Sequence, residues 1–245
     1  MSATTDRAPA RSIPSMGVST GTDMSFGARI ALGGLMLLTA LLAFAPVAIL
    51  GPAIGWPASL ARPAADQLQL IAAQVDAVRL GYASYLLYSV LLLPACAALL
   101  RRWPVGADWH ALIMSLLSLS VLARSVGILR WLTAMPQLAS QHALADTPGR
   151  TLIEMQFQAL NSWGGGIGEL LGVSLFMGLA LTALAWAGWQ ARWPRWMYLG
   201  ALGCAMLLYG LAGPLVGVSA KVPTALAVSA LSLWLAAMSV SCMRR

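Results

Sequence analysis

Arg124 and Glu169 are the residues through which this chain could do chemistry, because both fall inside runs that are otherwise apolar. An arginine at the centre of a membrane helix costs about 2.5–3.5 kcal/mol on insertion scales, so Arg124 needs a compensating interaction. Ser120 and Gly127 lie four residues before it and three after, which gives one helix face that is small, polar and suited to the inside of a bundle. Glu169 stands near the start of a later run, at a depth between Arg124 and Arg130, and is a partner of opposite charge for either arginine. Two readings of the pair stay open. One is a structural ion pair that fixes helix register; the other is ligand or ion handling by the same charges.

Arg130 is about three residues from the end of its run, where a long side chain can snorkel to the headgroups. Arg79, Tyr82, Tyr85 and Ser89 fall on roughly one face of another helix. Tyrosines at that height form either an interfacial belt or, if turned inward, the wall of a pocket with Arg124, Arg130 and Glu169. Three positive charges and one negative would suit an anionic guest, such as a lipid phosphate or a carboxylate.

Other chemistry is poorly provided for. The sequence has no His-Glu-x-x-His, and the run Gly164 to Gly168 lacks the Gly-Lys-Ser/Thr and preceding strand of a phosphate loop. Cys96, Cys204 and Cys242 lie in apolar runs, and His110 and His142 fall on opposite sides of the expected membrane. No disulfide framework, metal site or haem is expected, and no cofactor of any kind. Asp76, Asp146 and Glu154 read as solvated loop charges.

The elements that hold these residues follow from composition. Of 245 residues, 59% are hydrophobic and 9% charged, against about 25% charged in a soluble domain. Mean hydropathy is +0.77. A soluble enzyme, a disordered chain and a fibrous repeat are excluded, and the apolar residues come in continuous runs, unlike the alternating segments of a β-barrel. The expectation is an all-α, six-helix transmembrane bundle with spans at about 26–50, 80–100, 111–133, 164–187, 196–218 and 222–243. Residues 1–25 read as a disordered cytoplasmic tail. Amphipathic helices are expected in the two longer outer loops. Leu68, Ile71, Val75 and Val78 mark the first, and Leu152, Met155 and Ala159, after Thr147-Pro148, mark the second.

Orientation follows from the basic residues. With the N-terminus inside, the cytoplasmic side holds Arg7, Arg11, Arg29, Arg101, Arg102, Arg192, Arg195, Arg244 and Arg245. The other side holds only Arg62, Arg79, Arg150 and Lys221, so both termini are expected in the cytoplasm of a bacterial inner-membrane protein. The net charge of +7 is thereby spent on topology, and nucleic acid is not expected as a partner. Arg102-Trp103-Pro104 and Arg192-Trp193-Pro194 follow the second and fourth spans, either as a trace of duplication or as two independent basic, aromatic turns.

Several short pieces occur in a recognisable order. They are Ala28-Arg29-Ile30-Ala31, Arg79-Leu80-Gly81, Ala123-Arg124-Ser125-Val126, Gly164-Gly165-Gly166-Ile167-Gly168 and Trp193-Pro194-Arg195-Trp196. In them the chain resembles the DUF4386 family of bacterial polytopic membrane proteins over about residues 26–240. It departs from the pattern at Asn161-Ser162-Trp163, where such proteins often carry a histidine. The resemblance implies six spans and no established activity. The functional expectation is a non-enzymatic membrane protein that binds a small anionic or amphiphilic ligand, or a membrane partner, near the outer leaflet. A small secondary transporter with Arg124 and Glu169 as coupling pair is the alternative, and an intramembrane enzyme the third reading.

Overall fold

A computed structural model describes residues 24–216 and 223–244. The expected disordered tail over residues 1–23, the end of the fifth span, Lys221 and the first residue of the sixth lie outside the described residues. Six helices are long and apolar enough to cross a membrane: Phe26–Ile54, Val75–Arg102, Ala107–Leu144, Thr147–Gln190, Arg195–Gly213 and Thr224–Arg244. The chain is an all-α, multi-pass membrane protein.

The first span is two helices, α1 (Phe26–Leu42) and α2 (Ala45–Ile54). The ladder breaks at Ala43-Phe44, just before Pro46, whose missing N–H cannot continue it. Gly55, in the left-handed conformation with φ of 70°, then ends α2. Helix α3 (Ala64–Ala73) and helix α4 (Val75–Arg102) meet at Gln74, so the segment expected as a single amphipathic helix is two. Helix α5 (Ala107–Leu132) carries Arg124, and after Thr133 the short α6 (Ala134–Leu144) follows.

Helix α7 (Thr147–Gly165) starts at Asp146, whose carboxylate accepts the Gly149 N–H at 3.0 Å. It passes into a π-helical stretch, Gly166–Phe176, and then α8 (Met177–Gln190) without a break. These 44 residues form one rod, about 66 Å long at 1.5 Å per residue, roughly twice the hydrocarbon thickness. Helices α9 (Arg195–Tyr209) and α10 (Thr224–Arg244) complete the bundle.

The six spans close into a ring in chain order. Helix α10 packs on α1, α1 on α4, α4 on α5, α5 on the π stretch and α8, α8 on α9, and α9 back on α10. Small residues set the close approaches. A Cβ at Gly33 would meet Met243, and one at Gly200 would lie 2.4 Å from the Trp234 ring, whose N–H donates to the Met197 carbonyl at 3.0 Å. At the end of the ring carrying the Arg-Trp-Pro turns, Trp103 and Trp193 lie 6.5 Å apart.

At the opposite end, α3, α6 and α7 pack together as a cap. Leu68, Ile71 and Val78, the stripe expected to face a membrane surface, are buried there against protein, with Met135, Leu138 and Phe157. The second expected stripe is turned the other way: Leu152 and Met155 are exposed, and α7 packs inward through Phe157, with Ile153 partly buried beside the same cluster. His142 Nε2 and Glu154 Oε1 lie at hydrogen-bond distance, 2.9 Å, between α6 and α7. Glu154, expected as a solvated charge, is thus part of the cap.

Candidate functional site

The close approach between α5 and span four builds the site. A Cβ at Gly127 would come within 2.7 Å of the Gly168 Cα and 2.9 Å of the Gly164 carbonyl, and one at Gly172 within 2.6 Å of the Arg124 side chain. Gly164, Gly168 and Gly172 therefore form the trough in which α5 lies, and backbone contact of this kind needs glycine on both sides. Gly168 and Gly172, four residues apart, share the helix face that such contact requires. What the spacing does not reveal is the π geometry over Gly166–Phe176. A widened turn displaces carbonyls from their usual N–H donors, and Ser120 Oγ donates to the Gly172 carbonyl at 2.7 Å.

Above this contact lies a cavity of about 140 Å³ between α4, α5, the π stretch and the start of α10. Tyr82, Tyr85, Arg124, Arg130 and Glu169 all line it. Arg79 does not. It is exposed on α4, so the wall carries two arginines and one glutamate, and the expected three-to-one balance becomes two-to-one among the described residues.

Arg124 is 1% exposed. Its guanidinium lies 5.1 Å from the Tyr88 ring centroid and 5.9 Å from that of Tyr85, so aromatic faces supply its nearest electrostatic support. Its Nε, Nη1 and Nη2 have no hydrogen-bond acceptor among the described residues. Burying such a group without acceptors is costly, because all its N–H donors lose water. Arg124 and Glu169 share the cavity, but among the described residues the arginine meets rings and not a carboxylate.

Arg130 is folded inward, away from the snorkelling expected of it. It donates to the Gly127 carbonyl and, at 3.2 Å, to Asn161 Oδ1, and its stem lies over Gly164. Asn161 thus holds a residue of the wall in place. Glu169 accepts a hydrogen bond from Thr224 Oγ1 at 2.7 Å, which ties the π stretch to the start of α10.

Tyr82 is buried and stacked on Trp131 at 4.6 Å and 5°, and Trp131 meets Phe157 edge-on at 6.3 Å. This ladder runs from α4 through α5 into the cap, so Tyr82 is no interfacial belt residue. Trp56, Pro57 and Leu60, from the segment between α2 and α3, close the cavity on another side. No spacing rule pointed to them, because they reach the site through tertiary packing alone.

The opposite tier of the ring is apolar. Further along the same helices, Leu92, Leu99, Ile113, Leu117, Leu181, Leu184 and Trp234 surround a smaller void of about 40 Å³. A polar chamber at the cap end therefore sits on a hydrophobic floor. Among the described residues, no cluster of His, Cys, Asp and Glu has the make-up of a metal site.

Residues 31–238 match the model of a family described as a domain of unknown function, DUF4386. No curated protein and no solved structure matches the chain.

Proposed function

We propose that this chain, which belongs to the DUF4386 family, binds a small anionic group in the chamber at the cap end of its bundle. Arg124 carries the reading: a wholly buried guanidinium on a cavity wall, with three nitrogens lacking acceptors among the described residues, is a receptor for carboxylate or phosphate oxygens. Arg130 adds a second positive charge on the same wall, and Tyr85 gives the guest an aromatic face. We place the protein in a bacterial inner membrane with both termini cytoplasmic, as the distribution of arginines favours, which opens the chamber toward the outer leaflet.

The test is thermal unfolding of the purified protein in zwitterionic nanodiscs, with acetate or inorganic phosphate added at constant ionic strength. Binding to the folded state raises the midpoint in proportion to RT ln(1 + [L]/Kd). The wild type should gain stability and Arg124→Met should not. Equal responses of the two proteins would sink the proposal.

One observation favours a second reading, secondary transport. The π stretch places an acidic residue, Glu169, in an irregular part of a spanning helix, where transporters hold ions and substrates. The apolar floor beneath the chamber weighs against it, since passage would require that tier to part. Uptake of labelled acetate or phosphate by proteoliposomes, lost in Glu169→Gln, would favour transport over binding.

A further inference from the structure

The chamber has an apolar annex. A second void of about 40 Å³ lies beside it, and the two share Trp56, Tyr85, Thr224 and Ala225 as common wall. The rest of the annex is Ala43, Phe44, Pro46, Val47, Val228 and Ser229, that is, the break in the first span and the first turns of α10. Its origin is the course of the chain. Helix α1 runs along α10, but beyond Ala43-Phe44 the continuation α2 packs on α4 instead, so the first and last spans part company at that height. Phe44 and Val47 are 42% and 44% exposed, which places the annex at the lipid-facing side of the bundle.

From this juxtaposition we infer that the guest is a single-chain anionic amphiphile: its carboxylate or phosphate sits on Arg124, and its one acyl tail leaves through the annex between α2 and α10 into the bilayer. The inference rests on the anion-binding reading above and adds the chemical class of the guest.

Three features support it. Charge complementarity selects the head, because the chamber wall carries Arg124 and Arg130 against Glu169. Size limits what enters with it: a cavity of about 150 Å³ holds a benzene ring, so a chamber of this volume takes a head and about the first few carbons, and the remainder of a tail must go elsewhere. The annex, at about 40 Å³, offers room for one chain beside Phe44 and Val228 and not for two. A tail outside the protein stays among lipid tails, so its exit exposes no apolar surface to water.

The experiment is native mass spectrometry of the protein released from phosphatidylcholine nanodiscs loaded with laurate, 1-lauroyl-glycerol-3-phosphate or methyl laurate. Laurate and the lysophosphatidate distinguish a fatty acid from a phospholipid fragment as the source of the head, and the methyl ester removes the charge. Wild type should carry a one-to-one adduct of at least one of the two anions and none of the ester. Arg124→Met should reduce that adduct about tenfold or more, the loss expected when charge-assisted hydrogen bonds are removed. Val47→Trp and Val228→Trp, which fill the annex, should reduce it equally, whereas Leu233→Trp, on the exposed face of α10, should leave it unchanged.

Each variant is first required to elute as a single species with wild-type helicity, and two annex variants are used so that one misfolded protein does not decide the matter. If both annex variants keep the wild-type adduct while Arg124→Met loses it, the anion site stands and the tail route is wrong. A methyl laurate adduct equal to that of laurate would also overturn the inference. If neither anion binds and neither acetate nor phosphate raises the unfolding midpoint, the anion-binding reading falls with it.

Discussion

Replacing Arg124 with methionine should leave the stability of the ligand-free protein nearly unchanged. The side chain is 1% exposed, and its three nitrogens have no acceptor among the described residues. A central arginine costs about 2.5–3.5 kcal/mol on insertion scales. Two ring contacts, at 5.1 and 5.9 Å, return most of this, about 2 kcal/mol for the nearer, desolvated one and about 1 kcal/mol for the one near the 6 Å limit. Methionine keeps an aliphatic stem against Gly172, where the arginine Cγ now packs, and leaves a small void costing roughly 0.5–1 kcal/mol. The balance lies within about 1 kcal/mol of zero in the empty protein. Titration of dodecyl sulfate into mixed micelles, followed by far-ultraviolet circular dichroism on delipidated samples, measures it. A loss of about 3–5 kcal/mol, the size seen when one member of a satisfied buried pair is removed, would refute the reasoning. It would mean that Arg124 is a structural cation and not a waiting receptor.

Other expectations follow from the same geometry. Gly127→Ala forces a Cβ against backbone atoms of Gly168 and Gly164 and should destabilise by about 1–3 kcal/mol. Gly34→Ala, with no neighbour within 4 Å of the added atom, should be neutral or stabilise by up to about 1 kcal/mol; the same dodecyl sulfate titration compares the two. Ser120→Ala removes the donor to the Gly172 carbonyl, a change of about 1 kcal/mol, and hydrogen exchange should speed up over residues 166–176 more than elsewhere. Reporter fusions should place the N- and C-termini on the same, cytoplasmic, side of the membrane, and a C-terminus on the opposite side would overturn the orientation.

The spans were legible because a bilayer imposes a length, and six apolar runs meet it. The position of Arg124 was legible for a related reason: a charge in such a run is conspicuous through its cost. Rotation about a helix axis was harder to read. The stripe Leu152, Met155 and Ala159 has correct helical spacing but faces outward, because in a membrane protein the outside is also apolar and periodicity alone does not tell lipid from core. The π stretch was illegible from spacing, and it alters the face on which residues before and after it appear. Height alone left Arg130 and Tyr82 open between the interface and the wall of a pocket, and it is Asn161 and Trp131 that draw them inward. Trp56 and Leu60 belong to the chamber only through contacts distant in sequence, which no local pattern encodes.

The long rod formed by α7, the π stretch and α8 also carries a scale. Trp163 and Trp186 are 66% and 51% exposed on this one helix, and the 22 residues between them hold the two rings at most about 34 Å apart along its axis at the α-helical rise. Indoles settle at the headgroup level, so the pair measures the thickness of bilayer that the protein fits, and Glu169, six residues inside Trp163, comes about 9 Å below that boundary. Hydrophobic mismatch then acts on the chamber directly. A thicker membrane either tilts the rod or draws the cap toward the headgroups, and a thinner one lifts the chamber closer to water, each at fractions of a kcal/mol per ångström. Lipid chain length is therefore a variable that sets how deeply Arg124 lies.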